Sequence, residues 1–233
     1  MSEKVRTMFA SIADKYDVTN SVISFGTHHR WRKKAVRMSG VQAGMSVLDC
    51  ATGTGDLALE FKKAVGPEGK VIGTDFCAEM MKSAPAKAAK MNLEVNFETA
   101  DAMDLPYSDN TFDIASIAFG IRNVDDPLKS LKELARVVKP GGKVIVLEFG
   151  QPDGLFKYPY RFYSKHVIPF IGGIMTGNKE AYAYLPETSA HFAAGSAFLS
   201  LMKESGQYSS QQSKKLMGGI AYVYVGEVVQ SNV

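Results

Sequence analysis

The segment Val47-Leu48-Asp49-Cys50-Ala51-Thr52-Gly53-Thr54-Gly55-Asp56 constrains this chain more than any other. A short apolar run enters a glycine turn, and a helix-period stretch, Asp56 to Val65, follows at once. The alternation then repeats. Lys70 to Thr74 reads as a second strand, Ala78 to Met91 as a helix despite Pro85, and Val95 to Thr99 as a third strand. Phe112 to Ala118 reads as a fourth strand, Leu128 to Val138 as a helix, and Lys143 to Phe149 as a fifth strand. Between the last two, Lys139-Pro140-Gly141-Gly142 is a sharp stop, because Pro cannot continue a helix and Gly permits the reversal. Strands alternating with helices predict right-handed crossovers and a parallel sheet with helices on both faces. The tail, about Tyr208 to Gly226, holds two β-like runs, and the second, Gly219 to Val225, can join the sheet in an antiparallel edge hairpin. The expected class is α/β, with a seven-stranded Rossmann-like sheet and an antiparallel last strand.

The flanks break the alternation. Residues 1–44 read as a polar, helical N-terminal cap, with Arg30, Arg32, Lys33, Lys34 and Arg37 around Trp31. Residues 150–205 read as an aromatic, mostly helical insertion. At 233 residues the whole chain, 1–233, fits one domain with elaborated ends. A net charge of +3 is too weak a footprint for nucleic acid. Two cysteines, Cys50 and Cys77, suit a reducing compartment. Spanning a bilayer takes about 18 or more consecutive apolar residues; the runs Val167 to Met175 and Leu216 to Val229 are too short or interrupted. Charges at Glu3, Lys4, Arg6, Asp14 and Lys15 leave no apolar stretch for a secretory signal. A cytoplasmic protein is expected.

The glycine turn has two readings. Gly53-Thr54-Gly55-Asp56-Leu57-Ala58 matches G-x-G-x-x-A, and Asp75 lies 20 residues beyond Gly55, a formal dinucleotide fingerprint. The rival ligand is S-adenosylmethionine, which carries a sulfonium and an ammonium and no pyrophosphate. Asp49 before the turn and Asp56 after it favour the cation, since a carboxylate repels phosphate and holds ammonium. A plain helix N-cap is the bland alternative for Asp56. Asp75 ends the second strand, where an acid can accept from two ribose hydroxyls. Asp101 ends the third strand and can accept from an adenine amine, with the Ala102 N–H donating to a ring nitrogen; a simple Asx turn is the alternative. The end of the fourth strand, Ser116 to Phe119, then faces the methionine part.

On these residues, with Gly73-Thr74-Asp75, Asp101 to Pro106 and Phe112-Asp113, the chain resembles a class I S-adenosylmethionine-dependent methyltransferase. More specific segments lie outside them. The stretch from Tyr16-Asp17-Val18-Thr19-Asn20 to Thr27-His28-His29-Arg30-Trp31 resembles the N-terminal signature of the C-methyltransferases of menaquinone and ubiquinone biosynthesis. Phe119-Gly120-Ile121-Arg122-Asn123-Val124 and Arg136 to Phe149 are similar to further segments of that family, and Tyr163 to Gly172 with Tyr182-Ala183-Tyr184-Leu185 to its substrate-side insertion. The resemblance implies cofactor contacts at Thr54, Asp75, Asp101 and Ala102. Ala118 stands where many members carry Ser, which leaves a backbone contact there. Thr52 stands near where members carry Gly, so its side chain must point off the ligand.

The family implies methyl transfer from S-adenosylmethionine to a ring carbon of a reduced prenyl quinone, with demethylmenaquinol as the main expectation. The alternatives are a benzoquinol of ubiquinone synthesis, another small-molecule methyltransferase, an NAD-dependent oxidoreductase and a non-catalytic binding module. Metal is not expected, since no Cys/His cluster has zinc spacing. Arg122 is the candidate for stabilising a quinolate oxyanion, with Asn123 steadying the same oxygen; a surface pair of Arg122 with Asp125 or Asp126 is the alternative. His28, His29, His166 and His191 are all candidate bases, and none is singled out. His28 and His29 lie where a lid could close over the ligand, and the bland alternative has Tyr16, Phe25 and Trp31 simply packing the N-terminal helices on the sheet. Phe156 to Tyr163 and Val167 to Met175 are apolar enough to hold an isoprenoid tail or meet a membrane surface, against the alternative of a self-contained helical cover. The expected partners are thus a prenylated quinol, peripheral contact at the inner face of the membrane, and no nucleic acid, with a homo-oligomer left open.

Overall fold

The computed structural model describes residues 3–230. Seven strands form one sheet in the order β3-β2-β1-β4-β5-β7-β6. They are β1 (Ser46–Cys50), β2 (Lys70–Asp75), β3 (Asn96–Thr99), β4 (Phe112–Ala118), β5 (Val138–Phe149), β6 (Tyr208–Leu216) and β7 (Ala221–Val228). The first five pair in parallel; β7 runs antiparallel against β5, and β6 against β7. The expected hairpin therefore adds β7 inside and β6 at the rim. That rim strand carries Ser209, Ser210, Gln211, Gln212, Ser213, Lys214 and Lys215, a polar edge that resists pairing with another chain.

Eleven helices surround the sheet among the described residues: α1 (Glu3–Ile12), α2 (Tyr16–Ile23), α3 (Thr27–Ser39), α4 (Asp56–Val65), α5 (Ala78–Met81), α6 (Ala84–Lys90), α7 (Pro127–Arg136), α8 (Lys157–Phe162), α9 (Ile168–Thr176), α10 (Lys179–His191) and α11 (Ser196–Glu204). Central strands are apolar on both faces, as strands covered twice must be. Leu48, Cys50, Ala115, Ile117, Val144 and Val146 face a core shared with Leu131 and Leu134 of α7 and Phe198 and Met202 of α11. Their alternates, Val47, Ile114, Ile145 and Leu147, face Trp31 and Ala35 of α3 and Phe61 and Val65 of α4. A smaller third cluster joins Ile12 and Ile23 of the cap to Ile168, Ala181 and Tyr182 of the insertion.

Two boundaries differ from expectation. The helix read over Ala78 to Met91 is two helices, and Pro85 sits in the first turn of the second, where its missing N–H costs nothing. Helix α7 ends at Arg136, and the Pro140-Gly141-Gly142 stretch belongs to an extended β5, with a register shift between Phe112 and Ile114 absorbing the extra length. The start of α7 follows capping chemistry: Asp126 accepts from the Lys129 N–H at 2.9 Å, and Pro127 follows it. Cys50 and Cys77 are free and buried. Among the described residues no helix is long and apolar enough to cross a membrane.

Candidate active site

Two cavities meet above the carboxyl ends of β1, β2 and β4. The smaller, about 60 Å³, is walled by Gly53, Asp75, Asp101, Ala102, Ala118 and Asn123, among others. The larger, about 240 Å³, is mostly aromatic and aliphatic, and Arg122 and Arg32 stand in its wall. Phe9, Tyr16 and Phe119 line both, so the cavities adjoin.

Backbone conformation at the strand ends opens this space. Ala51 after β1 and Phe119 after β4 both adopt positive φ, at 49° and 57°. Such conformations cost of order 1–3 kcal/mol and concentrate at functional sites. A Cβ on Gly120 would lie 2.4 Å from the Ala51 Cβ, so the two loops approach this closely only with glycine there.

Asp75 is buried at the floor of the smaller cavity. Its carboxylate accepts from the Gly53 N–H at 2.9 Å and the Cys77 N–H at 2.8 Å. Burial pushes its pKa up to about 6, against the pull of those two donors. Asp101 accepts from the Met103 N–H at 2.9 Å, so it makes an Asx turn and lines the cavity at once.

Three of the expected cofactor contacts are not in the cavity wall. Asp49 is sealed beneath the turn, accepting from Thr52 Oγ1 and Ser116 Oγ, both at 2.7 Å, and burial raises its pKa to about 6. Thr52 thus points off the cavity, as its departure from the family pattern requires. Thr54 Oγ1 donates to Asp17 of α2 at 2.6 Å. Gly55 serves packing: with φ 84°, a Cβ there would lie 3.0 Å from Ala84 and Phe97. Asp56 likewise lies outside both cavity walls: its carboxylate is taken by Lys87 and faces Arg32 at 3.6 Å. Burial raises its pKa, but those two cations outweigh burial and hold it low. The acids flanking the turn therefore hold its frame together.

Arg122 lies on a 3₁₀ turn, Ile121–Asn123, between the cavities. Its ion-pair partner is Glu148 of β5, where the sequence suggested Asp125 or Asp126. Nη1 donates to Glu148 Oε1 at 2.6 Å and to the Phe119 carbonyl at 2.8 Å. The two side chains are 4% and 1% exposed. Burial raises the Glu148 pKa against the pull of the guanidinium. Arg122 Nε is buried without a hydrogen-bond partner. Asn123 Oδ1 accepts from the Tyr184 hydroxyl at 3.1 Å, which ties α10 to the junction.

Among the histidines, His28 alone lines the larger cavity. Burial, then Arg32, pushes its pKa down to about 3. His28, His29 and Asp56 bring three ligand atoms within 4.8 Å, but Lys87 and Arg32 already sit at Asp56 and oppose a further cation. Arg32 also stacks over Phe119 at 5.8 Å, so this part of the basic helix faces inward. Trp31 packs against Phe119 and Phe149, each at 6.3 Å.

The model of the ubiE/COQ5 methyltransferase family matches residues 1–227. The chain belongs to that family. It is 59% identical over 227 residues to "Ubiquinone/menaquinone biosynthesis C-methyltransferase UbiE" of Bdellovibrio bacteriovorus, covering 97% of this chain and 96% of the relative. It is 45% identical to "Demethylmenaquinone methyltransferase" of Thermus thermophilus, covering 94% and 99%. Among solved structures, a SAM-dependent methyltransferase from Aquifex aeolicus superposes with TM-score 0.59 at 24% identity, covering 85% of this chain and 89% of that one. The fold is that of class I S-adenosylmethionine-dependent methyltransferases, with the last strand antiparallel.

Sequence reasoning missed Phe9 and Ala51 as wall residues and Glu148 as the partner of Arg122. Glu148 lies inside the segment Arg136 to Phe149, where a charge amid a buried strand is the available signal.

Proposed function

We propose that this chain methylates a ring carbon of a prenylated demethylnaphthoquinol, most directly demethylmenaquinol, using S-adenosylmethionine. The carrying observation is the junction: a polar cavity at the strand ends meets an apolar one, and the permanently charged Arg122 stands at the meeting point with Nε unpartnered. Family membership and the names of the two relatives support the same chemistry.

The residues of the smaller cavity suit S-adenosylmethionine. Asp75 presents a carboxylate for two vicinal hydroxyls, Asp101 and the Ala102 N–H suit an adenine edge, and Gly53 and the backbone of Ala118 leave room for the remainder. Bound there, S-adenosylmethionine would supply a methyl group that a carbon nucleophile attacks in line, the CH₃–S bond breaking with its electron pair on sulfur and S-adenosylhomocysteine leaving. Ligand cavities usually exceed about 300 Å³, so the cap residues Phe9 and Tyr16 must swing outward to admit it.

Arg122 does the electrostatic work. Loss of the quinol proton to solvent water places charge on an oxygen and its ortho carbon, the guanidinium stabilises that charge against a mostly apolar wall, and after methyl transfer the ring carbon gives up its own proton to water to regain aromaticity. Glu148 fixes the guanidinium so that it does not reorganise during the reaction. Asn123, held by Tyr184, steadies the neighbouring position. His28 is a poor proton acceptor, since its imidazole resists protonation down to about pH 3. The aromatic walls of Tyr160, Tyr163 and Phe149 suit a ring and the first units of an apolar tail, in keeping with a substrate drawn from a membrane.

The test is incubation of pure protein with S-adenosylmethionine and reduced short-chain demethylmenaquinone, with the benzoquinol analogue alongside. The expected product gains one CH₂ on the naphthoquinol ring. Binding of S-adenosylmethionine with no methylated product from either quinol would overturn the reading.

A further inference from the structure

We propose that the outward face of the helical run 157–176 docks the chain on an anionic lipid bilayer, so that the larger cavity opens into the headgroup layer. The run comprises α8, a π turn at Tyr163–Val167 and α9. Its inner side, with Tyr160, Tyr163 and Ile168, lines the larger cavity. Its outer side is apolar as well. Tyr158, Phe162, His166, Phe170 and Ile174 recur at every fourth position and are all exposed. Tyr158 is 71%, Phe162 65%, Phe170 64% and Ile174 70% exposed. A helix on a water-facing surface needs only one apolar side.

Charge sorts along the same run. Lys157, Arg161 and Lys165 each precede one member of the apolar stripe, giving a basic row beside an aromatic one. None of the three has an acidic partner among the described residues. Aromatic rings at headgroup depth beside Lys and Arg are the pattern of a helix lying in a membrane interface. A second copy packed isologously would set this basic row against itself, whereas anionic headgroups complement it.

The cavity opens on this side. Phe25, Phe156 and Met217 line it and are also exposed, so they form its rim. Phe25 sits 6.2 Å from Tyr163, ring to ring. A tail leaving the cavity passes the same helical run that carries the stripe. The proposal rests on the prenyl-quinol reading for why a bilayer is needed; the face itself is defined by exposure and charge.

The test uses the full chain without substrate, sedimented with phosphatidylcholine vesicles containing or lacking about one third phosphatidylglycerol. The native chain should sediment with the anionic vesicles. Arg161→Glu with Lys165→Glu should weaken that binding by roughly 30-fold or more, and Phe162→Ser with Phe170→Ser by on the order of 10-fold. None of these four residues lines either cavity, so turnover of a soluble short-chain quinol should stay at the native rate and report intact folding. The proposal is overturned if the native chain stays in the supernatant, or if both variants sediment as it does. It is also overturned if the variants lower the mass in solution by light scattering while vesicle binding is unchanged, which would assign the face to a second copy. Vesicle binding without turnover of any quinol would sink the quinol reading and leave the docking face standing.

Discussion

In the sheet, Leu48, Cys50, Ile117 and Val146 are sealed from solvent by helices on both sides, whereas in the cap and insertion Phe25, Tyr158, Phe162 and Phe170 stand in water. Both regions are rich in apolar side chains, yet only one uses them to hold itself together. The cap and insertion share a small cluster around Ile12, Ile23, Ile168 and Tyr182. Their other large side chains line a cavity or face outward. Regions with little mutual burial open at low cost, and lids and binding walls are drawn from them. The sheet fixes the positions of Asp75, Asp101 and Arg122, and the helical layer shapes what reaches them.

The largest expected effect lies where the two regions join. Arg122→Ala should cut kcat by about 10²–10³-fold, the usual loss for a missing oxyanion donor. It should also destabilise the fold by about 3–5 kcal/mol, because Glu148 is left charged and buried without its partner. Pairing Arg122→Met with Glu148→Gln should recover most of the stability and none of the turnover. Denaturant unfolding and single-turnover rates on the same preparations check this; recovery of activity in the double variant would remove Arg122 from the chemistry.

Next comes the contrast in packing itself. Leu48→Ala should cost about 2–5 kcal/mol, because its site is enclosed on all sides and cannot collapse fully. Phe162→Ala, of nearly the same apolar character, should stay within about 0.5 kcal/mol of the native chain. Urea midpoints measure both. A large loss at Phe162 would mean that the outward face is packed in solution.

Acid should move the two regions in opposite directions. Asp49 and Asp75 titrate near pH 6 when folded and near about 3.9 when unfolded. Between those values the folded state holds more protons, so lowering the pH from 6 toward 4 stabilises the sheet ends. His28 titrates near 3 when folded and about 6.5 when unfolded. Between those values the folded state holds fewer protons, so the same acidification destabilises α3 and the cap. Hydrogen exchange at pH 5 and pH 7, corrected for intrinsic rates, should show protection lost over Thr27–Ser39 and retained or increased over β1. His28→Gln should abolish the loss in the cap.

What was legible in the sequence follows the same division. Strand ends and their acids are local features: Asp75 closes the largely buried run Val71–Thr74, and Asp101 follows the short, mostly exposed run Asn96–Thr99. The glycine turn was legible too, but not its division of labour. Gly53 faces the cavity, while Gly55 makes room for Ala84 and Phe97, which are distant in sequence. Asp49 and Asp56 read as ligand contacts because carboxylates flanking the turn suit a cationic ligand. Their partners, Ser116, Lys87 and Arg32, come from other elements that no local pattern can supply. The left-handed backbone at Ala51 and Phe119 carries no sequence signal, since neither residue type prefers it.

The smallest expected effect concerns how the cap is held over the strand ends. Asp17 of α2 accepts from Thr54 Oγ1 at 2.6 Å and from Lys87 Nζ at 2.8 Å, so one half-exposed carboxylate links the cap to the glycine turn and to α6. Such a contact contributes about 1 kcal/mol. Asp17→Ala should therefore open the cap roughly fivefold more often, with amide exchange in α1 and α2 accelerated by that factor and β1 and β4 unchanged. Release of S-adenosylmethionine should quicken by a similar factor, because Phe9 and Tyr16 of the cap wall the smaller cavity. Glu60→Ala, which removes a pair with Lys63 away from the cap, supplies the control and should alter neither rate. Exchange that accelerates equally in sheet and cap would mean that Asp17 supports the whole fold, and the distinction between a fixed sheet and a movable cover would fail at this joint.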